Sequence, residues 1–395
     1  MRAYLDEKSV DEIGFLFYYN INEHATYGTN KLCRSSSSIT YAFILNYEVV
    51  MAINVGIIGA TGYTGEELIK ILLNHPGVRI TYLAAKVEEL ISIDKIFPKF
   101  GNRIGLTCGP FELDSAASAN CSLFFLALPH TVSIKIAPEL LKLNKRVIDL
   151  SADYRLRDVK TYYKFYKSEH RDRQNLKNAV YGLPEFYRAK IKKAKLVANP
   201  GCYPTAAILS LAPLLSCEEM GVEEIIIDAK SGFTGAGRRA LLEYSFSEIN
   251  EDARAYKINV HQHMPEINQE LSKLAARPIR VTFVPHMLSI DRGILETTYI
   301  KVKGERLKLK GERLIGLYKK FYKKEPFVRI KEEGESVRIK DVVNTNFCDI
   351  AISSFAQQHL IIIVAAIDNL GKGAAGQAVQ NMNIMCGFPE RTALY

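Results

Sequence analysis

The sequence lacks the paired cysteine motifs of small cross-linked secreted proteins and the long apolar runs of membrane-spanning helices. It has no tryptophan, and its seven cysteines are odd in number, widely scattered and never arranged as CxxC. This usage argues against structural disulfides and structural zinc and favours a reducing compartment. The longest apolar run, Leu360–Ile367, is far shorter than the ~18 residues of a membrane span and predicts a buried strand. We therefore expect a cytoplasmic protein with no membrane partner.

The chain is neither too polar to fold nor dominated by one sign of charge. Of its 395 residues, 48% are hydrophobic and 24% are charged, which is typical of a globular protein. Its formal net charge of +9 suits nucleic acid, a membrane surface or an anionic small molecule. Residues 301–340 alternate lysines with glutamates and aliphatic residues, as on a solvated surface, so we expect no nucleic-acid partner.

Residues 1–50 lack the hydrophobic periodicity of the rest of the chain. They contain the run Ser35–Ser38 and an acidic start, which does not match a signal or transit peptide. We expect this segment to be an extension that is disordered or lies outside the folded core. Beyond it we place a first domain at 51–199, a second at 200–367 and a C-terminal helix within 368–395 that returns to the first domain.

Strands and helices alternate through the first domain. The pattern predicts buried strands separated by helices, which is typical of a Rossmann-type, doubly wound parallel sheet. The predicted strands are Ile53–Ile58, Val78–Ala85, Leu123–Leu128 and Arg146–Leu150, and the helices are Glu66–Asn74 and Val132–Leu143.

The second domain has a different pattern, with one early helix followed mainly by strands. This indicates an α+β domain with a mixed or antiparallel sheet. The predicted helix is Pro204–Leu215, and the strands are Glu224–Lys230, Ile279–Val284, Ile294–Val302, Ile350–Ser353 and Leu360–Ile367. The chain closes with a predicted helix of small residues at Lys372–Cys386.

A glycine turn follows the first strand and opens the first helix. In a GxxGxxG spacing the first glycine permits a tight turn, the second lets a pyrophosphate approach the backbone, and the third allows close helix packing. The expected dinucleotide contacts are Gly59, Thr61, Gly62, Tyr63, Thr64 and Gly65. Lys86 stands where a NAD site carries an acid, which favours the 2′-phosphate of NADP.

One cysteine has a local sequence that predicts reactivity. Cys202 follows a Pro-Gly turn and precedes Pro204 by two residues, which suits the first turn of a helix. The amino end of a helix stabilises a thiolate, so this position predicts a lowered pKa for the Cys202 thiol and a nucleophile. The other six cysteines have no such setting.

Two histidines and a carboxylate follow in the second domain. His263 is predicted to be the acid/base, and Glu266 to orient one imidazole ring through its other nitrogen. His261 is expected to shape the substrate site. The pattern leaves two alternatives open: a metal bound by His-x-His on a strand, which we do not favour because a third ligand is missing, and ordinary surface histidines.

Two further segments suit an anionic substrate. Ser151 and Arg155 follow the end of a parallel strand, where ligands of open α/β sheets bind. Arg238 ends a loop of small residues, Ser231–Arg238, which is typical either of an anion site or of an exposed basic turn.

Taken in order, these motifs resemble those of the N-acetyl-gamma-glutamyl-phosphate reductases, which are relatives of the aspartate-semialdehyde dehydrogenases. The resemblance covers Met51 to Tyr395. It rests on the motifs already described, including His261–Ile267, and on three others, namely Leu126–His130, Tyr181–Glu185 and Asp368–Gly376. Where the family commonly has Ser-Arg after the second strand, this chain has Ala85-Lys86.

The resemblance implies an activity and several roles. It implies NADPH-dependent reduction of N-acetyl-glutamyl 5-phosphate to the semialdehyde, in arginine biosynthesis, through a thioester on Cys202. It also implies Asn369 as a nicotinamide contact, and a second domain that forms a homodimer or homotetramer. A related group reduces glutamyl or aminoadipyl phosphates on an acidic carrier protein, which is the alternative substrate. An NADP-sensing regulator would need neither Cys202 nor the histidines.

Overall fold

The computed structural model describes residues 52–217, 220–238, 240–303 and 311–395. They form two β-sheets, one of eight strands and one of seven. The extension predicted over residues 1–50 lies outside the described residues. No helix in the described ranges is long and apolar enough to cross a membrane.

The first sheet confirms the predicted Rossmann-type fold. Its strand order is β3-β4-β2-β1-β5-β6-β8-β7, and all neighbours are parallel except the edge pair β3 and β4. Its central strands are buried on both faces, as the apolar run Leu123–Leu126 requires. The strands are β1 Ile53–Ile58, β2 Val78–Ala84, β3 Ile91–Ser92, β4 Thr107–Gly109, β5 Leu123–Leu126, β6 Arg146–Asp149, β7 Val180–Tyr181 and β8 Leu196–Ala198.

Seven helices connect these strands. They are α1 Tyr63–Leu72, α2 Ile93–Ile96, α3 Leu113–Ser118, α4 Ser133–Lys142, α5 Val159–Tyr166, α6 Arg173–Asn178 and α7 Pro184–Ile191. Helix α1 buries Leu68, Ile69 and Leu72, a helical spacing that packs one face on the sheet. It begins three residues before the predicted Glu66, because the glycine turn itself supplies its first residues.

The second sheet is mixed, one of the two forms predicted. Its order is β10-β11-β9-β12-β15-β14-β13, with parallel pairs at β11–β9 and β14–β13 and antiparallel pairs elsewhere. The strands are β9 Val222–Ser231, β10 Ala253–Ala255, β11 Thr282–Leu288, β12 Ile294–Val302, β13 Val328–Ile330, β14 Cys348–Phe355 and β15 Leu360–Ile367. The helices of this part are α8 Cys202–Leu215, α9 Phe246–Ile249, α10 Met264–Leu274 and α11 Gly311–Phe321.

Helix α8 forms the centre of the second core. Nearly all of its residues are buried, and it packs with α10, α11 and the inner face of the second sheet in one apolar cluster. A helix that is apolar on all sides is a core helix. Because it starts directly after the residues that follow β8, its amino end lies at the carboxyl edge of the first sheet.

The C-terminal segment begins with a wide turn rather than with the predicted regular helix. Gly371–Ala375 is a π-helical turn, and α12 follows as Gly376–Cys386. The backbone is crowded there, since a Cβ on Gly371 would lie 2.3 Å from the Thr345 carbonyl oxygen. Val379 and Met382 of α12 pack in the core of the first sheet.

Candidate active site

A cleft with a volume of about 490 Å³ lies at the carboxyl ends of the strands of the first sheet. Ligands of open α/β sheets bind at this edge, where the strand order reverses beside β1. The cleft brings together most of the predicted residues: Gly59, Thr61, Gly62, Tyr63, Thr64, Lys86, Arg155, Cys202, Arg238, His263 and Asn369.

The glycine turn fits a dinucleotide. A Cβ on Gly59, whose φ is +97°, would lie 2.1 Å from the Ala127 carbonyl oxygen, and a Cβ on Gly65 would lie 2.2 Å from the Gly59 oxygen. Packing within the protein therefore requires these two glycines. A Cβ on Gly62 would meet nothing nearer than 3.6 Å, and this residue faces the cleft at the N-cap of α1. Its missing side chain leaves room for a pyrophosphate at the helix amino end.

Lys86 lies just beyond the carboxyl end of β2 and is exposed at the cleft. The backbone of the preceding residue, Ala85, is held by a hydrogen bond from its N–H to the Gly109 carbonyl oxygen. This cleft position agrees with the NADP preference read from the sequence.

Cys202 is the first residue of α8, with Gly201 as the N-cap. The predicted helix start is thus two residues too late, because Pro204 fits within the first turn. The predicted lowering of the thiol pKa is wrong. Burial raises the pKa of Cys202 to about 11, and it outweighs the Tyr203 N–H and Arg155, which lower it. Desolvation of a charge is the stronger effect here.

The two histidines do not lie on a strand, which differs from the His-x-His strand of the metal-site alternative. His263 is the N-cap residue of α10, and His261 belongs to the turn before it. Burial, followed by the neighbouring His261 and Arg155, holds the pKa of His263 well below its usual value, so the ring is a neutral imidazole. A Cβ on Gly201 would lie 2.6 Å from His263 Nε2, so this nitrogen packs against the residue that precedes Cys202.

Glu266 does not orient a histidine ring, which corrects its predicted role. Its Oε1 accepts hydrogen bonds from the Gly201 N–H at 2.9 Å and from the Tyr181 hydroxyl at 2.7 Å. Its Oε2 forms an ion pair with Arg155 Nη1 at 3.3 Å. His263 Nδ1 is buried and has no hydrogen-bond partner among the residues that the structure describes. The first turn of α10 therefore directs the carboxylate to the backbone before Cys202 and not to the imidazole.

Arg155 connects the two halves of the site. Its Nε donates to the Asn199 carbonyl oxygen and its Nη2 to the Leu150 carbonyl oxygen, both at 2.7 Å, while Nη1 reaches Glu266. The guanidinium lines the cleft as predicted. It also fixes the chain after β6 and β8, a role that sequence spacing did not reveal because its partners are distant in the sequence.

Two predicted substrate contacts lie outside the cleft. Ser151 is fully buried, and its hydroxyl donates to Asp149 at 2.9 Å. His261 is also buried, with Nδ1 accepting the His263 N–H at 3.0 Å and Nε2 3.4 Å from the Tyr256 hydroxyl. Both side chains form hydrogen bonds with neighbouring groups and do not line the cleft. The prediction that they contact the substrate is therefore corrected.

Arg238 and Asn369 both line the cleft. Arg238 stacks 4.6 Å from the centre of the Tyr63 ring and forms an ion pair with Glu66, so it lies beside the start of α1. Asn369 accepts the Gly293 N–H at 2.7 Å and donates to Thr234 Oγ1 at 2.9 Å. Arg238, expected at the substrate, is thus next to the predicted dinucleotide turn.

Among the cleft residues that were given no role from the sequence, His130 carries a titratable side chain. His130 follows β5, and its Nδ1 accepts the Ala152 N–H at 3.1 Å. The signal available was its position after a buried parallel strand. In the described part of the chain, no group of three or more His, Cys, Asp or Glu side chains is arranged to hold a metal.

Fold and site define a semialdehyde dehydrogenase. The family model "Semialdehyde dehydrogenase, NAD binding domain" matches residues 54–194, and "Semialdehyde dehydrogenase, dimerisation domain" matches residues 202–369. Aspartate semialdehyde dehydrogenase II from Vibrio cholerae has a TM-score of 0.63 at 16% identity, over 85% of this chain and 98% of its own. The Candida albicans enzyme with NADP has a TM-score of 0.62 at 13% identity, over 85% and 98%.

Curated relatives show to which family of semialdehyde dehydrogenases the chain belongs. N-acetyl-gamma-glutamyl-phosphate reductase from Symbiobacterium thermophilum is 45% identical over 345 residues, which cover 87% of this chain and 98% of the relative. The Desulforamulus reducens protein of the same name is 46% identical over 342 residues, with the same coverage. The chain belongs to the N-acetyl-gamma-glutamyl-phosphate reductase family. These names do not favour the carrier-bound alternative.

Proposed function

We propose that this chain reduces N-acetyl-gamma-glutamyl phosphate to N-acetyl-glutamate semialdehyde with NADPH, in arginine biosynthesis. The observation that carries the proposal is a single cleft lined by the glycine turn, Cys202 and His263. An NADP-sensing regulator has no use for a cysteine at a helix start beside a neutral imidazole. The enzyme needs both groups within reach of the cofactor.

The first step is acyl transfer to the thiol. His263 Nε2 accepts the Cys202 proton, and the sulfur attacks the acyl carbon. The bond from that carbon to the phosphate oxygen breaks, inorganic phosphate leaves, and a thioester remains on Cys202. Backbone N–H groups of the first turn of α8 stabilise the oxyanion. Neutral imidazole suits this step because it is free to take up a proton.

The second step reduces the thioester. NADPH supplies the hydride when bound. The reduced thioester is first a thiohemiacetal oxyanion on Cys202, which takes the proton that His263 Nε2 accepted in the first step. This proton returns to His263 Nε2 as the carbon–sulfur bond breaks, and it is then transferred to the Cys202 thiolate. The semialdehyde then leaves. Arg155 and Glu266 are positioning residues in this scheme, since their bonds to Asn199 and Gly201 fix the backbone before the nucleophile.

The dinucleotide is assigned to Gly59, Thr61, Gly62, Tyr63, Thr64 and Gly65, with Lys86 at the 2′-phosphate and Asn369 at the nicotinamide. This assignment is supported by the open space at Gly62 and by the cleft positions of Lys86 and Asn369. Arg238 contributes a positive charge beside Tyr63. No nucleic-acid or membrane partner is needed for this activity.

Acyl transfer without NADPH tests the proposed nucleophile. Adding N-acetyl-glutamyl phosphate to the protein should release phosphate in a burst of one equivalent per subunit and leave an acyl group on Cys202, detected by peptide mass spectrometry. Cys202→Ser should give neither signal. Acylation at another residue, or a full burst from the variant, would contradict the assignment. A carrier-bound acyl phosphate that reacts much faster than the free one would favour the alternative substrate.

The family match to a dimerisation domain indicates an oligomer, and we assign a homodimer interface to the outer face of the second sheet. This face carries the partly buried Ile226, Leu295, Thr297, Ile362 and Val364, together with the ion pair between Asp228 and Lys230. A second copy of this chain fits such a face because sheets pack through flat apolar surfaces. Val364→Asp should give a monomer by light scattering, whereas an unchanged mass would exclude this face.

Two other expectations also stand as proposals. The six cysteines in the described ranges are free thiols, which supports a reducing compartment such as the cytoplasm. The domain boundaries at 51–199, 200–367 and 368–395 are supported by the sheets, whose strands come from residues 53–198 and 222–367 respectively.

A further inference from the structure

Arg292 is a charged residue that the reaction scheme does not use. It lies in the turn between β11 and β12 of the second sheet, and its side chain is only 16% exposed. Its Nη1 donates to Glu67 Oε2 at 2.8 Å. Its Nε donates to Asp368 Oδ1 at 3.3 Å, and its Nη2 lies 2.8 Å from Asp368 Oδ2. One guanidinium therefore joins carboxylates from two distant segments of the chain.

The first carboxylate belongs to the helix that carries the glycine turn. Glu67 follows Gly65 by two residues on α1 and is buried. Burial raises the pKa of Glu67, but Arg292 and Lys70 together hold it below its ordinary value, so the group is charged. Breaking a buried, hydrogen-bonded ion pair is costly, because it leaves an unpaired charge. Arg292 thus ties the second sheet to the part of α1 next to the assigned pyrophosphate site.

The second carboxylate directly precedes Asn369, the assigned nicotinamide contact. Asp368 Oδ1 also accepts two backbone N–H groups of the turn that follows Asn369, at 2.8 and 3.1 Å. The residue after Arg292 binds the same asparagine, since the Gly293 N–H donates to Asn369 Oδ1 at 2.7 Å. The turn that carries Arg292 therefore holds Asn369 both directly and through Asp368.

The same turn also holds Thr234, another residue that lines the cleft. The N–H and the hydroxyl of Thr234 both donate to the Asp291 carbonyl oxygen, at 3.1 and 2.6 Å. Thr234 Oγ1 in turn accepts a hydrogen bond from Asn369 Nδ2 at 2.9 Å. Thr234, Asn369 and the turn between β11 and β12 thus form one hydrogen-bonded wall of the cleft, and Arg292 connects this wall to α1.

We propose that Arg292 is a positioning residue that fixes the nicotinamide end of the cleft relative to the glycine turn, so that hydride transfer to the thioester on Cys202 starts from an aligned geometry. The inference rests on the proposed function. Arg292 does not line the cleft and acts through Glu67 and Asp368. A misplacement of about 1 Å at the reacting atoms is enough to cost about 100-fold in rate.

Separating the two chemical steps tests the proposal. The phosphate burst without NADPH reports acylation, and the oxidation of NADPH added to the acylated protein, followed by stopped-flow absorbance, reports hydride transfer. In Arg292→Met, hydride transfer should be slower by about tenfold or more, while acylation should stay within about twofold of the parent rate. An unchanged rate of hydride transfer, or an equal loss in both steps, would overturn the proposal.

Arg329→Met is the matched control. Arg329 also pairs with a buried aspartate, Asp349, at 2.5 Å, but it lies on the edge strand β13 and does not line the cleft. Neither step should change by more than about twofold in this variant. A loss of hydride transfer as large as in Arg292→Met would show that the effect is not specific to the connection with α1, and this would overturn the proposal.

A double variant addresses the unpaired charge that Arg292→Met leaves on α1. Glu67→Met combined with Arg292→Met removes both groups of that ion pair, and Asp368 keeps its backbone partners. Because the two residues form one connection, Glu67→Met alone should also slow hydride transfer, and the double variant should be no slower than Arg292→Met. Losses that multiply in the double variant would overturn the proposal.

The fluorescence anisotropy of bound NADPH gives a measurement that does not depend on the proposed reaction. With the protein in excess, the anisotropy of the nicotinamide emission should be lower in Arg292→Met than in the parent and unchanged in Arg329→Met. Equal anisotropy in all three proteins, or no NADPH binding by the parent, would overturn the proposal. If the parent shows no acylation while the anisotropy still falls in Arg292→Met, the proposed function is wrong and the positioning role stands.

Discussion

At Cys202 two opposing effects act on one thiol. The amino end of α8 and Arg155 favour the thiolate, whereas burial favours the thiol and is the larger effect. Sequence spacing revealed only the first effect, since burial depends on residues such as Gly373, at which a Cβ would lie 2.9 Å from Cys202 Cβ. In the proposed mechanism this proton is removed when the substrate binds, and His263 accepts it.

The pH dependence of kcat/KM follows from the two pKa directions. Burial lowers the pKa of His263 below 6.5, so its neutral form persists as the pH falls through 6.5. The Cys202 thiol titrates at about 11. We expect the acid limb to lie below pH 6.5, with kcat/KM rising toward alkaline pH as the Cys202 thiol ionises. A loss of activity with a midpoint above 6.5 on the acid side would show that the imidazole is not shifted in this direction.

Cys202 and His263 should act as one unit. Cys202→Ser and His263→Asn should each reduce kcat/KM by about 100-fold or more, and the double variant should be scarcely worse, because the imidazole has no thiol left to serve. His261→Asn should cost about tenfold, since its ring supports the His263 N–H and does not face the cleft. Rate constants for the four proteins test this. A larger loss in His261→Asn would reverse the assignment.

At the scale of the element, two glycines of the glycine turn lack a side chain for different reasons: Gly65 for packing within the protein, and Gly62 for the approach of the cofactor. Gly65→Ala should destabilise the protein by about 3 kcal/mol, because the new Cβ meets the Gly59 carbonyl oxygen. Gly62→Ala should leave the melting temperature nearly unchanged but weaken NADPH binding about tenfold, since its Cβ points into open space. Thermal unfolding and a fluorescence titration of NADPH distinguish the two. Equal melting losses would mean that both glycines serve packing alone.

The end of β2 determines which nicotinamide cofactor is preferred. Lys86→Glu should lower the ratio of kcat/KM for NADPH to that for NADH by about tenfold or more, through loss of a phosphate partner and gain of repulsion. Lys99→Glu is a comparison at another lysine, one that pairs with Glu66 and does not line the cleft. A parent protein that already prefers NADH would contradict this prediction.

For the whole molecule, the first prediction concerns its amino-terminal extension. Removing residues 1–50 should leave folding and turnover intact, because β1 begins at Ile53 and, within the described part of the chain, pairs with β2 on one side and β5 on the other. Solubility, melting temperature and kcat of the two purified forms are the measurements. An insoluble or inactive shortened protein would show that the extension supports the fold.

The strand pattern was largely predictable. Ile53–Ile58, Ile294–Val302 and Leu360–Ile367 agree to the residue with the predicted strands, because a buried strand is an apolar run that ends where polar or glycine residues begin. Helix starts were less predictable. The start of α8 at Cys202 depends on how the Gly201 backbone is held by Glu266, a residue distant in sequence.

By itself, the sequence determined the two-sheet architecture, the glycine turn, the family and the cysteine at a helix start, since each depends on residues close together along the chain. Only the tertiary structure decided that Glu266 binds the Gly201 N–H and Arg155. It also decided that the side chains of Ser151 and His261 are buried outside the cleft. These outcomes depend on which polar groups meet after strands and helices from distant segments pack. Burial and hydrogen-bond partners are properties of that packing, and no local pattern encodes them.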